Sequence, residues 1–294
     1  MAEARVRPMT PEDVPLAAAL SSESYLAVDR RMQPRALPEP TGRSTGRTAW
    51  WETRTRHLLA TDPGGSWVAE VDGEPVGFAV SFRRELTWVL ASYAVRGDHQ
   101  GLGIGRALLA VAQDYGKGCL RGLLTSSADP RAVRRYRASG FDLHPQVSLT
   151  GVVDRSAIPP GRHVREGDPG DRDLLDSLDR RTRGAAHGPD HELLLGHHRL
   201  LVSDRAAGSG YCYVEAGAPV LLAATDRRTA ARLMWEALAS APVDSPVSVR
   251  HVTAANQWAL DVGLAARLDP WTSGYLAVRR LRPPAPYLHH GSLL

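Results

Sequence analysis

Apolar positions along the chain follow two rhythms, and the switches between them mark out the elements. Val6 opens a short extended run, and "TPEDVPLAAAL" then takes up helical spacing. Thr10 stands as its N-cap, Pro11 at the first helical position, and acids follow in the first turn. From Arg30 to Arg47 the pattern lapses into a polar connection rich in Pro, Gly and Arg, and "AWWETRTRHLLA" restores helical spacing. "SWVAEV" and "PVGFAVSF" flank a Gly-containing turn and predict a hairpin. "LTWVLASYAV" is nearly all apolar, which predicts a central strand buried on both faces. A glycine stretch, "VRGDHQGLGIG", comes next, followed by the helix "RALLAVAQDYG" and the strand "RGLLTSS". "DPRAVRRYRASG" reads as a short helix closed by Gly140 as its C′ residue. "FDLHP" and "QVSLTGVV" are expected to close the sheet, giving a mixed α/β layer over residues 1–152.

The paired prolines of "DRSAIPPG" predict a linker over 153–161, after which the pattern starts again over 162–294. "HVREGDPGDRDLLDSL" repeats the strand, turn and acid-capped helix of "RVRPMTPEDVPLAAAL", and "LLVSDRAAGSGYCYV" repeats "WVAEVDGEPVGFAV". "APVLLAATD" matches the central strand and "TAARLMWEALA" the helix after the glycines. "SVRHVTAANQWALDVGLA" and "GYLAVRRL" complete the series. Self-similarity on this scale predicts two tandem copies of one α/β fold, each a twisted mixed sheet flanked by helices. A competing alignment pairs "GEPV" with "GAPV"; the first keeps every element in order.

Composition narrows the setting. An apolar fraction of 43% over 294 residues suffices for two ordinary cores. No run approaches the roughly 18 apolar residues of a membrane span, and the opening residues show no apolar signal core. Cys119 and Cys212 form neither a disulfide framework nor a metal-ligand spacing. These features predict a cytoplasmic protein with no membrane partner. The net charge is +4, yet Lys117 is the only lysine and the arginines are interleaved with acids. The densest group is Arg131, Arg134, Arg135 and Arg137. With no contiguous basic stripe and no known module, nucleic acid is not an expected partner.

The glycine stretch carries the chemistry. A dinucleotide fingerprint needs G-x-G-x-x-G, but from Gly101 the third glycine falls at Arg106 and from Gly103 at Leu108. No P-loop spacing is present either. What remains is Gln100-Gly101-Leu102-Gly103-Ile104-Gly105 running into a helix. Gly103 and Gly105 have no side chains, so an anion could lie on their N–H groups beside a helix N-terminus. A glycine turn for close strand–helix packing is the other reading.

The pattern Q/R-x-x-G-x-G/A at the end of a central strand, with Gln100, Gly103 and Gly105 in place, resembles the GNAT superfamily of acyl-CoA-dependent N-acyltransferases. "YRASGF", Tyr136 to Phe141, resembles that superfamily's second signature, and a helix and a strand separate the two. The resemblance covers roughly residues 5 to 150. It implies acetyl-CoA or another short acyl-CoA as co-substrate, and a small-molecule or peptide amine as acceptor. Backbone groups of Tyr93, Ala94 and Val95 would pair with the pantetheine arm, and the Val95 N–H would polarise the thioester carbonyl. Amides of Gln100, Gly101, Leu102, Gly103, Ile104, Gly105 and Arg106 would hold the pyrophosphate. Tyr136 would protonate the departing thiolate. Many members carry Asn where this chain reads "SSADPRAV", so Ser127, or else Ser126 or Asp129, would supply the polar contact to the cofactor arm. The resemblance identifies no general base; Glu85, Glu70, Ser92 and Tyr93 are the residues at hand. The expected activity is N-acetyl transfer at one site in the first copy. The alternative is a non-catalytic acyl-CoA-binding sensor or protein-interaction module.

The second copy lacks this chemistry. It reads "ATDRRTAARLM" in place of the glycine stretch, and Ala259 stands where Tyr136 stands. Asn256 sits at the position of the superfamily's Asn. The resemblance is thus to tandem GNAT proteins with a degenerate second half. "RRTRGAAHGPDHELL" is expected either to present His187, His191 and Arg183 to an acceptor or to be a solvated loop. His187 and His191 without a third ligand predict no metal. Asp190 is expected to cap "HELLLGHHRL", and "LHHGSLL" to lie on the surface.

Overall fold

A computed structural model describes residues 4–32, 37–160 and 163–294. Part of the predicted Arg30–Arg47 connection, and the end of the predicted linker at Gly161, lie outside the described residues. The chain divides into two compact units, Met1–Ser139 and Gly140–Leu294. Among the described residues, no helix is long and apolar enough to cross a membrane.

In the first unit the order is β1 (Arg5–Pro8), α1 (Val14–Met32), α2 (Thr45–Thr61), β2 (Ser66–Val71), β3 (Glu74–Arg84), β4 (Thr87–Val95), α3 (Ile104–Tyr115), β5 (Arg121–Ser126) and α4 (Pro130–Ala138). β1 to β4 are joined by antiparallel pairings, and β5 lies parallel to β4. The hairpin between β2 and β3 turns on Asp72 and Gly73, both at positive φ, the geometry that matches strand twist. β4 is buried along almost its whole length, as its apolar run requires. Alternation along β3 sends Phe78 to one face, edge-on to Trp51 of α2. It sends Gly77 to the other face, against Leu108 of α3. Helices therefore cover both faces of this sheet.

In the second unit the order is β6 (Asp142–Val152), β7 (Arg165–Glu166), α5 (Arg172–Thr182), α6 (Asp190–Leu195), β8 (Arg199–Ser203), β9 (Gly210–Glu215), β10 (Ala218–Ala224), α7 (Arg227–Ala239), β11 (Pro246–Thr253), α8 (Gln257–Ala265), β12 (Asp269–Arg279) and β13 (Tyr287–Leu288). From β7 to α8 this repeats the order from β1 to α4. The likeness of "GEPV" to "GAPV" is one of turn type only. Gly73 joins β2 to β3, whereas Gly217 joins β9 to β10, and each follows a residue at positive φ.

The division at Ser139 differs from the predicted boundary at 152. The reason is β6, which pairs antiparallel with both β12 and β11 inside the second unit. Nor is 153–161 a free linker through its described part. Val153 is buried, Asp154 caps a short turn, and Arg155 donates to the carbonyls of Ala239 and Ala241.

Candidate active site

The site is built where β4 and β5 part. Their parallel pairing runs from Thr87 with Arg121 to Leu90 with Leu124 and stops there, while β4 continues to Val95. A register shift on the β3 side, between Val80 with Ser92 and Ser81 with Leu90, leaves Ala91 as the extra residue of a bulge. The bulge turns the last residues of β4 away from β5. Arg96 N–H donates to Val76 O at 2.8 Å, which sets the alternation that precedes it. Ala94 turns its backbone groups to β3, and Tyr93 and Val95 turn theirs to the open edge. In agreement, the Val95 carbonyl accepts from Gln100 Nε2 at 2.9 Å and the Tyr93 carbonyl from the Tyr25 hydroxyl at 3.4 Å. Of the three residues expected to meet a pantetheine arm, Tyr93 and Val95 present an edge and Ala94 does not.

The glycines divide by role. Gly101 and Gly103 have φ of +87° and +88°, a left-handed conformation that a side chain would strain. Nothing crowds them, and Gly101, Leu102 and Gly103 are exposed. Gly103 is the N-cap of α3 and supplies no side-chain cap. The amides of Ile104 and Gly105 have no intrahelical acceptor, so the positive end of α3 stands open. Gly105 itself is buried and serves packing: a Cβ there would land on the Arg135 guanidinium and the Tyr93 hydroxyl. Both readings of the glycine stretch thus apply, at different positions.

Two arginines absent from the sequence-based site reach it from α4. Arg131 Nη1 donates to Gln100 Oε1 at 2.6 Å, so Gln100 bridges α4 to the end of β4. Arg135 Nη1 donates to the Tyr93 hydroxyl, which donates onward to Gly105 O at 2.7 Å. Their spacing of four residues on a helix was the available signal, within the densest arginine group of the chain. A groove of about 200 Å³ adjoins the bridge, with Glu23 and Arg31 of α1, Gln100 and Arg131 among its lining.

Tyr136 lies on α4, buried, with its ring 6.5 Å from that of Tyr93 in an edge-on arrangement. Burial pushes its hydroxyl well above the ordinary tyrosine range, Tyr25 and Tyr93 add to the rise, and Arg135 opposes it. Tyr136 is therefore protonated at neutral pH. Burial likewise raises Tyr93.

Ser127 is half-buried, and its hydroxyl accepts from the Asp129 N–H at 3.4 Å. The Asp129 carboxylate is committed to capping α4 and to an ion pair with Arg31 at 2.6 Å. Glu70 is paired with Arg7, and Glu85 lies in the β3–β4 turn, at the end of β4 opposite the open edge. Neither faces the opening. Among the groove residues named in its lining, Glu23 is the carboxylate.

Residues 183–191 depart from expectation. Arg183, His187 and His191 are fully buried within the second unit, so they form neither a solvated loop nor a surface for an acceptor. They pack on Asp179 of α5, whose carboxylate their segment encloses. The third potential ligand that the spacing lacked is this Asp179. Asp190 is buried and makes no cap; Pro189 holds that position. The C-terminal segment is not surface either, since His289, His290, Leu293 and Leu294 are buried.

Comparison with known proteins bears on the fold that carries this site. Residues 30–141 match the family model described as the Acetyltransferase (GNAT) family. A crystal structure from Pyrococcus horikoshii, described as a candidate acetyltransferase, is similar over 99% of this chain and 95% of its own, with a TM-score of 0.75 and 17% identity. A GCN5-related N-acetyltransferase from Sphaerobacter thermophilus is similar over 96% of each chain, with a TM-score of 0.60 and 16% identity. One from Kribbella flavida is similar over 94% of this chain and 72% of its own, with a TM-score of 0.57 and 15% identity. At such identities the likeness is one of fold. No functionally curated relative matches the chain.

Proposed function

With residues 30–141 as a GNAT acetyltransferase domain, we propose that the Met1–Ser139 unit moves an acetyl group from CoA to a primary amine at the open edge of β4. The co-substrate is acetyl-CoA or another short acyl-CoA. One observation carries the reading: β4 leaves β5 at Leu90, and its free edge leads straight to the uncapped N-terminus of α3. An extended amide-bearing arm fits the first feature and a pyrophosphate the second.

The N–H of Val95 points to the open edge and is preorganised to hydrogen-bond the thioester oxygen as negative charge builds there. The amides of Gly101 to Gly105 bind the pyrophosphate, and Arg131 and Arg135 add positive charge from α4. Tyr136 supplies the proton to the leaving thiolate, and burial keeps that proton in place at neutral pH. The neutral amine, small-molecule or peptide, attacks the carbonyl carbon directly. The C–N bond forms as the C–S bond breaks, the surplus proton on nitrogen passes to solvent, and reprotonation of Tyr136 from solvent completes the cycle, so an amine of low pKa needs no strong base. Arg135 and Tyr93 brace α4 against α3 and so fix Tyr136 relative to the edge.

Thermal denaturation with millimolar acetyl-CoA, NAD or ATP tests the cofactor assignment. A rise in Tm with acetyl-CoA alone is expected, by mass action. No rise with acetyl-CoA sinks the proposal. An amine-library screen that reads released CoA thiol then identifies the acceptor class.

A further inference from the structure

The second unit contains a convergence of electron-rich atoms that acyl transfer does not use. His187 Nδ1 lies 2.7 Å from Asp179 Oδ2. His191 Nε2 lies 3.0 Å from the same oxygen and 3.4 Å from Asp176 Oδ1. The ligand atoms of Asp179, His187 and His191 all fall within 4.8 Å of one another, and all three residues are fully buried.

The surrounding hydrogen bonds decide where the protons go. The Tyr213 hydroxyl lies 3.1 Å from His191 Nδ1 and 3.5 Å from the His191 carbonyl oxygen, so it donates to the nearer ring nitrogen and leaves Nε2–H to donate to Asp179 Oδ2 at 3.0 Å. A cation that displaces this proton and that of His187 Nδ1 meets two ring lone pairs and a carboxylate in a dry interior, where its attraction to them is little screened. The carboxylates are fixed independently. The Tyr211 hydroxyl donates to Asp179 Oδ1 at 2.5 Å, and the backbone N–H groups of His187 and Gly188 donate to Asp179 Oδ2 and Asp176 Oδ1. Hydrogen-bonded outer partners of this kind are what orient metal ligands.

We propose that the second unit binds one divalent first-row transition ion, of the Zn²⁺ class, through Asp179, His187 and His191, with Asp176 as a fourth, oxygen donor. Two imidazoles with carboxylates suit that class of ion. The ligand atoms lie within 4.8 Å of one another, so a modest spreading of the 2.7 and 3.0 Å contacts brings them to the roughly 3.4 Å edges that metal–ligand bonds of about 2.0–2.2 Å give in a tetrahedron. The site joins α5 to α6, a helix of only six residues that is too short to persist on its own. The absence of any exposure at the three ligands assigns the ion a structural role.

The test uses the full chain, stripped with a chelator and titrated with Zn²⁺ or Co²⁺. One equivalent is expected to bind, Zn²⁺ to raise Tm, and Co²⁺ to give the visible absorption of a low-coordinate nitrogen–oxygen site. Tyr213→Phe keeps the ligands and is expected to weaken binding about 10- to 100-fold, and His191→Ala to abolish stoichiometric uptake. The wild-type titration decides by itself if a variant fails to fold. A stripped, folded chain that takes up neither ion at one equivalent overturns the proposal and assigns the cluster to hydrogen bonds alone.

Discussion

β4 and β10 hold the same place in a repeated element order, and they end differently. β4 is left with an open edge beyond Leu90. β10 is paired on both sides, with β9 on one and with β13 on the other, through Leu222 with Leu288 and Ala223 with Tyr287. The Ala224 N–H adds a bond to Pro286 O at 3.2 Å. The helices that follow differ in the same sense. α3 begins at Gly103 with no side-chain cap, whereas α7 begins at Asp226, whose carboxylate accepts from Thr229 N–H at 2.9 Å. A carboxylate there satisfies the helix and repels a phosphate. Asn256 completes the closure: its amide accepts from Tyr287 N–H at 2.9 Å and donates to Pro284 O at 3.0 Å. An edge and a helix end that stay open in one unit are satisfied in the other by its own chain. Backbone polar groups must be paired somewhere, and in the second unit β13, Asp226 and Asn256 supply the partners.

The comparison breaks most sharply at Tyr136. Tyr136→Phe is expected to lower turnover about 10²- to 10⁴-fold while acetyl-CoA still raises Tm; unchanged turnover would remove Tyr136 from the chemistry. Acid should act next, on the closed unit. Burial holds His289 down at about 4, from an ordinary 6.5, and its ring stacks on His251 at 4.3 Å. Between these values the unfolded chain binds the extra proton, so stability rises with pH across the window. The contribution is complete above pH 6.5 and lost as pH falls toward 4, about 3 kcal/mol in all. Denaturant unfolding at pH 7 and pH 4.5 should show the loss, and His289→Gln should reduce it. An equal loss in the variant would assign the effect to other groups. The smallest effect is expected at Asn256. Asn256→Ala should cost roughly 1–3 kcal/mol from buried groups left unpaired and leave the KM for acetyl-CoA unchanged. A changed KM would mean that the two units are not separate in function.

Much of the order was legible because it is local. Periodicity marked the strands and helices of both units, and Asp72–Gly73 and Gly140 announced a turn and a helix end through their φ requirements. Gln100, Gly103 and Gly105 were legible as a group because a turn into a helix leaves few residue choices. What each does was not. Gly105 is glycine because Arg135 and Tyr93 close over it, a contact between residues 30 and 12 positions away along the chain. The tail "LHHGSLL" read as surface because polar residues usually are, yet pairing with β10 buries it. Arg183, His187 and His191 read as a loop because Gly188 and Pro189 break a helix, and Asp179 brings them into the interior.

The sequence by itself determined the elements, their repeated order, and a glycine-rich turn into a helix in one half only. These follow from period, propensity and backbone allowance, which each residue carries with it. Tertiary structure decided which edges stay open: the parting of β4 from β5, the seating of β13 on β10, the pairing of β6 with β11 and β12, and the convergence on Asp179. Each of these depends on hydrogen-bond partners distant in sequence, and the choice among partners is made only when the whole chain has to satisfy its buried polar groups at once.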